Sequence, residues 1–158
     1  MKIENQENNT DTLKQIITLL PKRIAKEGYS FRVSSNSACI TCKFYDVCMS
    51  KLIPNKIYVV KGIVRKIPVG KCLLTGEDLI PVSVSLKPII ISIPCNTAIR
   101  NIIIRYHKVT CSIIDCNNRK YCFPYSIYEG EQLRILDIHN KIKCPLGRRL
   151  VLVSVVPP

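Results

Sequence analysis

The chain has 158 residues, 47% of them hydrophobic, enough to bury a core as one domain or as two small lobes. Lysine and arginine outnumber aspartate and glutamate by 24 to 11, a formal net charge of +13 that favours nucleic acid or another anionic surface as partner. No apolar run nears the roughly 20 residues of a membrane span, and the polar, acidic start has no apolar secretion core, so a cytoplasmic protein without membrane contact is expected.

Residues 1–14 are polar, rich in Asn and Glu and aperiodic, and are expected to form a mobile tail. Beyond them one unit reads as written twice, a first repeat over 15–86 and a second over 87–158, with the break near Leu86-Lys87-Pro88. Ile17-Thr18-Leu19-Leu20-Pro21 matches Ile90-Ile91-Ser92-Ile93-Pro94 at an offset of 73, which holds through Ala25 and Ala98 and through Arg32 and Arg105. Leu52, Val60 and Ile67 align with Ile127, Ile135 and Ile142 at an offset of 75, and Leu79 to Val84 aligns with Leu150 to Val155 at 71. Drifts of this size are short loop insertions.

Within the unit, the β-branched run Ile16 to Leu20 reads as a strand ending at Pro21, which suits the first turn of a short helix over Lys22 to Lys26. Gly28 stands where that helix stops, open to positive φ, and Asn101 holds the place in the second copy. A strand over Tyr29 to Val33 and a turn at Ser34 to Ser37 lead into a cysteine cluster. Further strands are expected over Ile57 to Val64, matched by Leu133 to Ile138, and over Leu79 to Val84. The expected fold is α+β and β-rich: two pseudo-equivalent halves, each a short helix plus several strands around a four-cysteine metal site.

The nine cysteines carry the clearest signal. Cys39, Cys42 and Cys48 form C-x2-C-x5-C, and Cys111, Cys116 and Cys122 form C-x4-C-x5-C; Cys72 and Cys144 each follow more than twenty residues later. Two sets of three plus one make the ligand count of two four-cysteine centres. Thiols at such spacing in a cytosolic chain point to metal rather than to disulfides, and an odd count leaves one unpaired either way. Cys72 is assigned to the first site and Cys144 to the second, although a crossed pairing fits the spacing too. Cys95 has no counterpart in the other copy and reads as a small apolar core residue.

Zinc and iron–sulfur both suit four thiolates. Structural zinc ribbons pair two C-x2-C knuckles, whereas three clustered cysteines and one remote are the division of many four-iron clusters. Cys144 is followed by Pro145, as the fourth ligand of bacterial ferredoxins is by proline. The segment Cys-Ile-Thr-Cys-Lys-Phe-Tyr-Asp-Val-Cys resembles the cluster segment of iron–sulfur nucleases, though there the lone cysteine comes first and here no nuclease core accompanies it. Two [4Fe-4S] centres are therefore favoured, with zinc as the alternative.

Arg23 to Gly28, the C-x2-C-x5-C cluster, Tyr121 with Tyr125 and Tyr128-Glu129-Gly130, and Cys144-Pro145-Leu146-Gly147 together resemble an archaeal family of uncharacterised proteins. The likeness spans residues 16–156. It implies an archaeal cytosolic protein of unassigned function, supports the eight cysteines as a set and supplies no catalytic residue.

No phosphate-cradling glycine loop, nucleophile elbow or His-Glu-x-x-His occurs, and neither His107 nor His139 has a carboxylate beside it in sequence. An enzyme is not expected. Arg119, Lys120 and Tyr121 lie inside the second cluster, Lys141 and Lys143 lead to Cys144, and Arg148 and Arg149 follow it where the first copy has Glu77 and Asp78. Cations interleaved with aromatics beside a rigid knuckle suit phosphate contact with base stacking, so these seven are candidate nucleic-acid contacts. The competing reading is a merely solvated surface. The function expected is a non-catalytic metal-binding protein associated with RNA or the ribosome; the alternative is an iron–sulfur electron-transfer protein docking an acidic partner.

Overall fold

The computed structural model describes residues 13–34 and 36–158. The mobile tail expected over 1–14 lies outside them except for Leu13 and Lys14, and so does residue 35 of the turn expected at 34–37. The chain divides into two compact units, Met1–Lys87 and Pro88–Pro158. The first runs β1 (Ile16–Pro21), β2 (Ser30–Arg32), α1 (Ser37–Ile40), α2 (Tyr45–Cys48), β3 (Ile57–Ile63), β4 (Gly70–Lys71) and β5 (Asp78–Leu86). The second runs β6 (Ile89–Pro94), a 3-10 turn at Cys95–Thr97, β7 (Ile103–Arg105), α3 (Arg119–Cys122), β8 (Gln132–Ile142) and β9 (Leu150–Val156). The protein is β-rich, with two antiparallel sheets and three helices of four residues among the described residues.

The sheet of the first unit has the order β1-β5-β3-β2 with β4 added on β5, and that of the second has the order β6-β9-β8-β7. These are one topology drawn twice, and the registers agree. Ile16 faces Val84 and Pro21 faces Leu79 in one sheet; Ile89 faces Val155 and Pro94 faces Leu150 in the other. Even the irregularity repeats: the β3–β5 ladder slips between Val60 and Gly62, and the β8–β9 ladder slips between Ile135 and Asp137, the same place at an offset of 75. A bulge kept in both sheets bends both strands alike.

The alternation of apolar residues puts one face of each sheet inside. Val60, Val82, Val84 and Tyr58 form the heart of the first core, and Ile135, Val153, Val155 and Leu133 occupy the corresponding places in the second. The positions needing positive φ are matched as well: Gly28 (φ 81) and Asn101 (φ 65), whose amides donate to Val60 O and Ile135 O at 2.8 Å each. Glycine and asparagine are the residues that enter this region at least cost.

Two expectations are corrected. No helix forms over Lys22 to Lys26; the segment is a turn closed by Ile24 N–H and Ala25 N–H donating to Pro21 O at 2.9 and 3.1 Å. So few residues between a proline and a glycine cannot offset the cost of nucleating a helix. The helical residues sit instead in the cysteine clusters. β8 also runs to Ile142, four residues beyond the strand expected at Leu133 to Ile138, because a second slip between Ile138 and Lys141 lets it stay paired with β9. No helix among the described residues is long and apolar enough to cross a membrane.

Candidate metal centres

In the first unit the local cysteines ride on α1 and α2. Asn36 caps α1, its Oδ1 accepting from Ala38 N–H at 2.9 Å. Cys42 N–H donates to Cys39 O at 3.1 Å, Tyr45 N–H to Cys42 O at 2.9 Å and Cys48 N–H to Phe44 O at 2.8 Å, so successive tight turns bring the three thiols round. The knuckle is fastened to β1: buried Thr18 donates from Oγ1 to Cys48 O at 2.6 Å, and the Cys48 thiol lies 3.4 Å from Leu19 O. The fourth cysteine arrives directly after β4. Phe44 lies so close to Gly70 that a Cβ there would sit 2.5 Å from its ring, so the knuckle packs on the arm that carries Cys72. Cys39, Cys42, Cys48 and Cys72 line one cavity, completed by apolar side chains that include Phe44, Met49, Leu73 and Leu74.

The second unit reaches the same arrangement with different side chains. Cys111 and Cys116 lie in the loop after β7, Cys122 ends α3, and Cys144 follows β8. Cys122 O accepts from the Tyr106 hydroxyl at 3.1 Å, and Cys122 Sγ lies 3.0 Å from Ser92 Oγ on β6. Asn118, which holds the place of Phe44, donates from Nδ2 to Lys143 O at 3.0 Å and ties the knuckle to the arm of Cys144. Cys111, Cys116, Cys122 and Cys144 line a cavity whose lining also includes Arg119, Lys143 and Arg148. The structure thus gathers Cys72 with the first triplet and Cys144 with the second, each within its own unit.

None of the nine cysteines is in a disulfide. Burial pushes the Cys48 thiol up, and the neighbouring Cys39, Cys72 and Cys42 push it further, from an ordinary 9.0 to about 11. Burial also pushes Cys72 up, but hydrogen bonds from the Thr75 side chain and from the Thr75 and Leu74 backbone more than reverse this and leave it below the ordinary thiol value. Backbone amides directed at a sulfur favour the thiolate, which is the form that ligates. The donor set fits a soft metal: four thiols line each cavity, and no aspartate, glutamate or histidine does. Among the described residues, no three His, Cys, Asp or Glu side chains stand close enough to hold a metal ion as placed.

The seven candidate nucleic-acid contacts separate into two kinds. Arg119 donates to Ile113 O at 2.9 Å and lies over the Phe123 ring, 4.4 Å from its centroid, while Arg148 donates to Thr110 O at 2.6 Å. Both hold the loop that carries Cys111. Lys120, Lys141, Lys143 and Arg149 are exposed; Tyr121 is half-buried with the Lys120 ammonium 5.0 Å from its ring centroid. Cys95 is partly buried and packs on the second core. The structure supplies His107 with the carboxylate that its sequence neighbours lack: Nδ1 lies 2.8 Å from Glu129 Oε1.

Sequence reading missed Thr18, Ser92 and Tyr106, the side chains that fasten each knuckle to its sheet. The signal was present for two of them, since Thr18 and Ser92 are polar residues inside apolar strands and both are buried. A buried hydroxyl needs a partner, and here the partner is the knuckle.

A family model described as UPF0179, an uncharacterised protein family, matches residues 16–155. A UPF0179 protein of Pyrobaculum calidifontis is 30% identical over 143 residues, 90% of this chain and 73% of its own length. A UPF0179 protein of Thermococcus onnurineus is 31% identical over 142 residues, 89% of this chain and 93% of its own length. One from Methanocaldococcus jannaschii is 28% identical over 141 residues, 88% of this chain and 92% of its own length. No solved structure matches.

Proposed function

This chain belongs to the UPF0179 family of uncharacterised proteins, and from that premise we propose that it is a non-catalytic protein with two four-thiolate metal centres and an RNA-binding surface. One observation carries the reading: three local cysteines and one remote cysteine wall a single cavity, and they do so twice. Such centres pin the longest loops of each unit to its sheet, and the free energy of metal binding becomes folding free energy. Eight thiolates around two centres of about −2 charge each leave the folded chain near +9, still strongly basic.

Four-iron clusters are favoured over single zinc ions by the division of the ligands, three clustered cysteines and one remote, which many four-iron sites share. When bound, the clusters supply rigidity and charge, while the chain's own Thr18, Ser92 and Tyr106 orient the cysteines.

Anaerobic purification with metal and sulfide analysis tests the centres: a brown protein with about eight iron and eight sulfide per chain is expected. A colourless protein with two zinc ions keeps the four-thiolate sites and replaces the cluster, and a metal-free folded protein removes the reading. The partner is tested by titrating RNA at rising salt, where affinity should fall with a log–log slope of about 0.7 per phosphate contacted. An affinity undetectable at low salt removes RNA.

A further inference from the structure

The segment after α3 presents an aromatic ring that the fold does not use. Tyr125 is 90% exposed, and Tyr128, three residues on, is 61% exposed. Between them Ser126 and Ile127 are buried at 4% and 3%, so the backbone carrying both rings is anchored in the second unit. Further hydrogen bonds hold the same loop: Gly130 N–H donates to Tyr106 O at 2.8 Å, Lys108 N–H to Glu129 Oε2 at 2.6 Å and Tyr128 N–H to Glu131 Oε2 at 3.0 Å.

The first unit shows what this position needs for folding. At the offset of 75 that relates Leu52 to Ile127, the counterpart of Tyr125 is Ser50, whose hydroxyl donates to Asp46 O at 2.6 Å. One topology therefore forms with a serine there. A tyrosine in its place, turned to solvent on an anchored loop, has no folding role to explain it. Five residues earlier in the chain, Lys120 is exposed, and the whole chain carries +13.

We propose that Tyr125 is a stacking platform for an unpaired base of single-stranded RNA, with Lys120 contacting the adjoining phosphate. The proposal rests on the RNA reading above and narrows it to one strand form and one ring. A π-face accepts any base, so contact of this kind tolerates sequence. An anchored loop loses little freedom on binding, which favours a ring already held in place.

The test uses the full-length, metal-loaded protein and a labelled single-stranded RNA of mixed sequence, about 16 nucleotides long, followed by fluorescence anisotropy. Tyr125→Ser, which installs the residue of the other unit, should weaken binding roughly 5- to 150-fold with an unchanged salt slope. Lys120→Gln should lower the log–log salt slope by about 0.7. The chain has no tryptophan, so Tyr125→Trp adds a single reporter: it should keep the affinity, and its emission should change on binding. Equal metal content and circular dichroism in all variants would show that each is folded. If wild type binds RNA while Tyr125→Ser binds as tightly, or if the tryptophan emission stays constant through saturation, the stacking role is overturned and RNA binding stands. If wild type does not bind at low salt, RNA binding fails and the stacking role with it.

Discussion

The two cysteine knuckles are tied at the same points by different forces. Between knuckle and fourth-cysteine arm, the first unit wedges the Phe44 ring against Gly70, while the second places a hydrogen bond from Asn118 to Lys143 O. Between knuckle and sheet, Cys48 O accepts from Thr18, within β1, and Cys122 O from Tyr106, directly after β7. Around the sulfurs, the first cavity is lined by apolar groups such as Leu73 and Leu74, and the second includes Arg119, Lys143 and Arg148. The difference teaches that this topology demands a tie at each place and leaves its chemistry free. The thiols are what both units hold in common. Charged side chains are among the lining of the second cavity and absent from that of the first.

The largest effect is expected from breaking the proposed centres. Structural zinc in zinc-finger peptides, worth about 10–16 kcal/mol of folding free energy, sets the scale for a four-thiolate site. Cys42→Ser and Cys116→Ser should each halve the metal content and loosen only their own unit, read by hydrogen exchange. Joining Cys42→Ser with Cys72→Ser sharpens the assignment. With Cys72 in the first centre, the double variant keeps one full centre; with crossed pairing it loses both.

Next come the ties between knuckle and arm. Gly70→Ala places a methyl 2.5 Å from the Phe44 ring and must push it aside, so the first unit should lose about 1–3 kcal/mol. Asn118→Ala removes one hydrogen bond and should cost the second unit about 1 kcal/mol. Denaturant unfolding followed by unit-specific hydrogen exchange compares them. Equal losses in both units from either variant would mean that the ties are not local.

Much of this was legible in the sequence, and for identifiable reasons. The cysteine sets, the matched strands and the paired positive-φ positions at Gly28 and Asn101 follow from local chemistry repeated at fixed offsets. The missing helix at Lys22 to Lys26 was misread because proline before and glycine after look like helix punctuation even when the residues between are too few. The roles of Arg119 and Arg148 were out of reach, because their acceptors are backbone carbonyls of Ile113 and Thr110, groups that every residue has. Phe44 and Asn118 share a place in the repeat without sharing a chemistry, so alignment alone gave no hint that they do the same work.

A smaller effect separates the sulfurs. Ser92 Oγ lies 3.0 Å from Cys122 Sγ and can donate to a thiolate, whereas the Cys48 sulfur faces the carbonyl of Leu19, which has no proton to give. Ser92→Ala should therefore weaken metal retention in the second centre by about tenfold and leave the first unchanged. Competition with a chelator, read as two release phases, measures both centres at once. Equal slowing or speeding of the two phases would show that the hydroxyl has no special place.

The smallest expected effect is set by acid and is confined to the second unit. The Lys108 amide first, and then His107, hold the Glu129 carboxyl below its ordinary 4.5. A depressed carboxyl contributes stability that is present above the ordinary value and lost as pH falls through the lower folded one. The contribution is small because the group is exposed to solvent. At the corresponding place the first unit has Pro54, which cannot titrate. Acid should thus loosen the loop that joins Lys108 to the Tyr125 segment before it touches the matching loop of the first unit. The Lys108 amide resonance followed from neutral pH to below 4.5 should shift with a single apparent titration, accompanied by falling protection from exchange. Glu129→Gln keeps an acceptor oxygen but no charge, so it should abolish the titration and leave protection at a constant, lowered level. A titration that survives in the variant would place the responsible carboxyl elsewhere, with Glu131 as the next group to substitute.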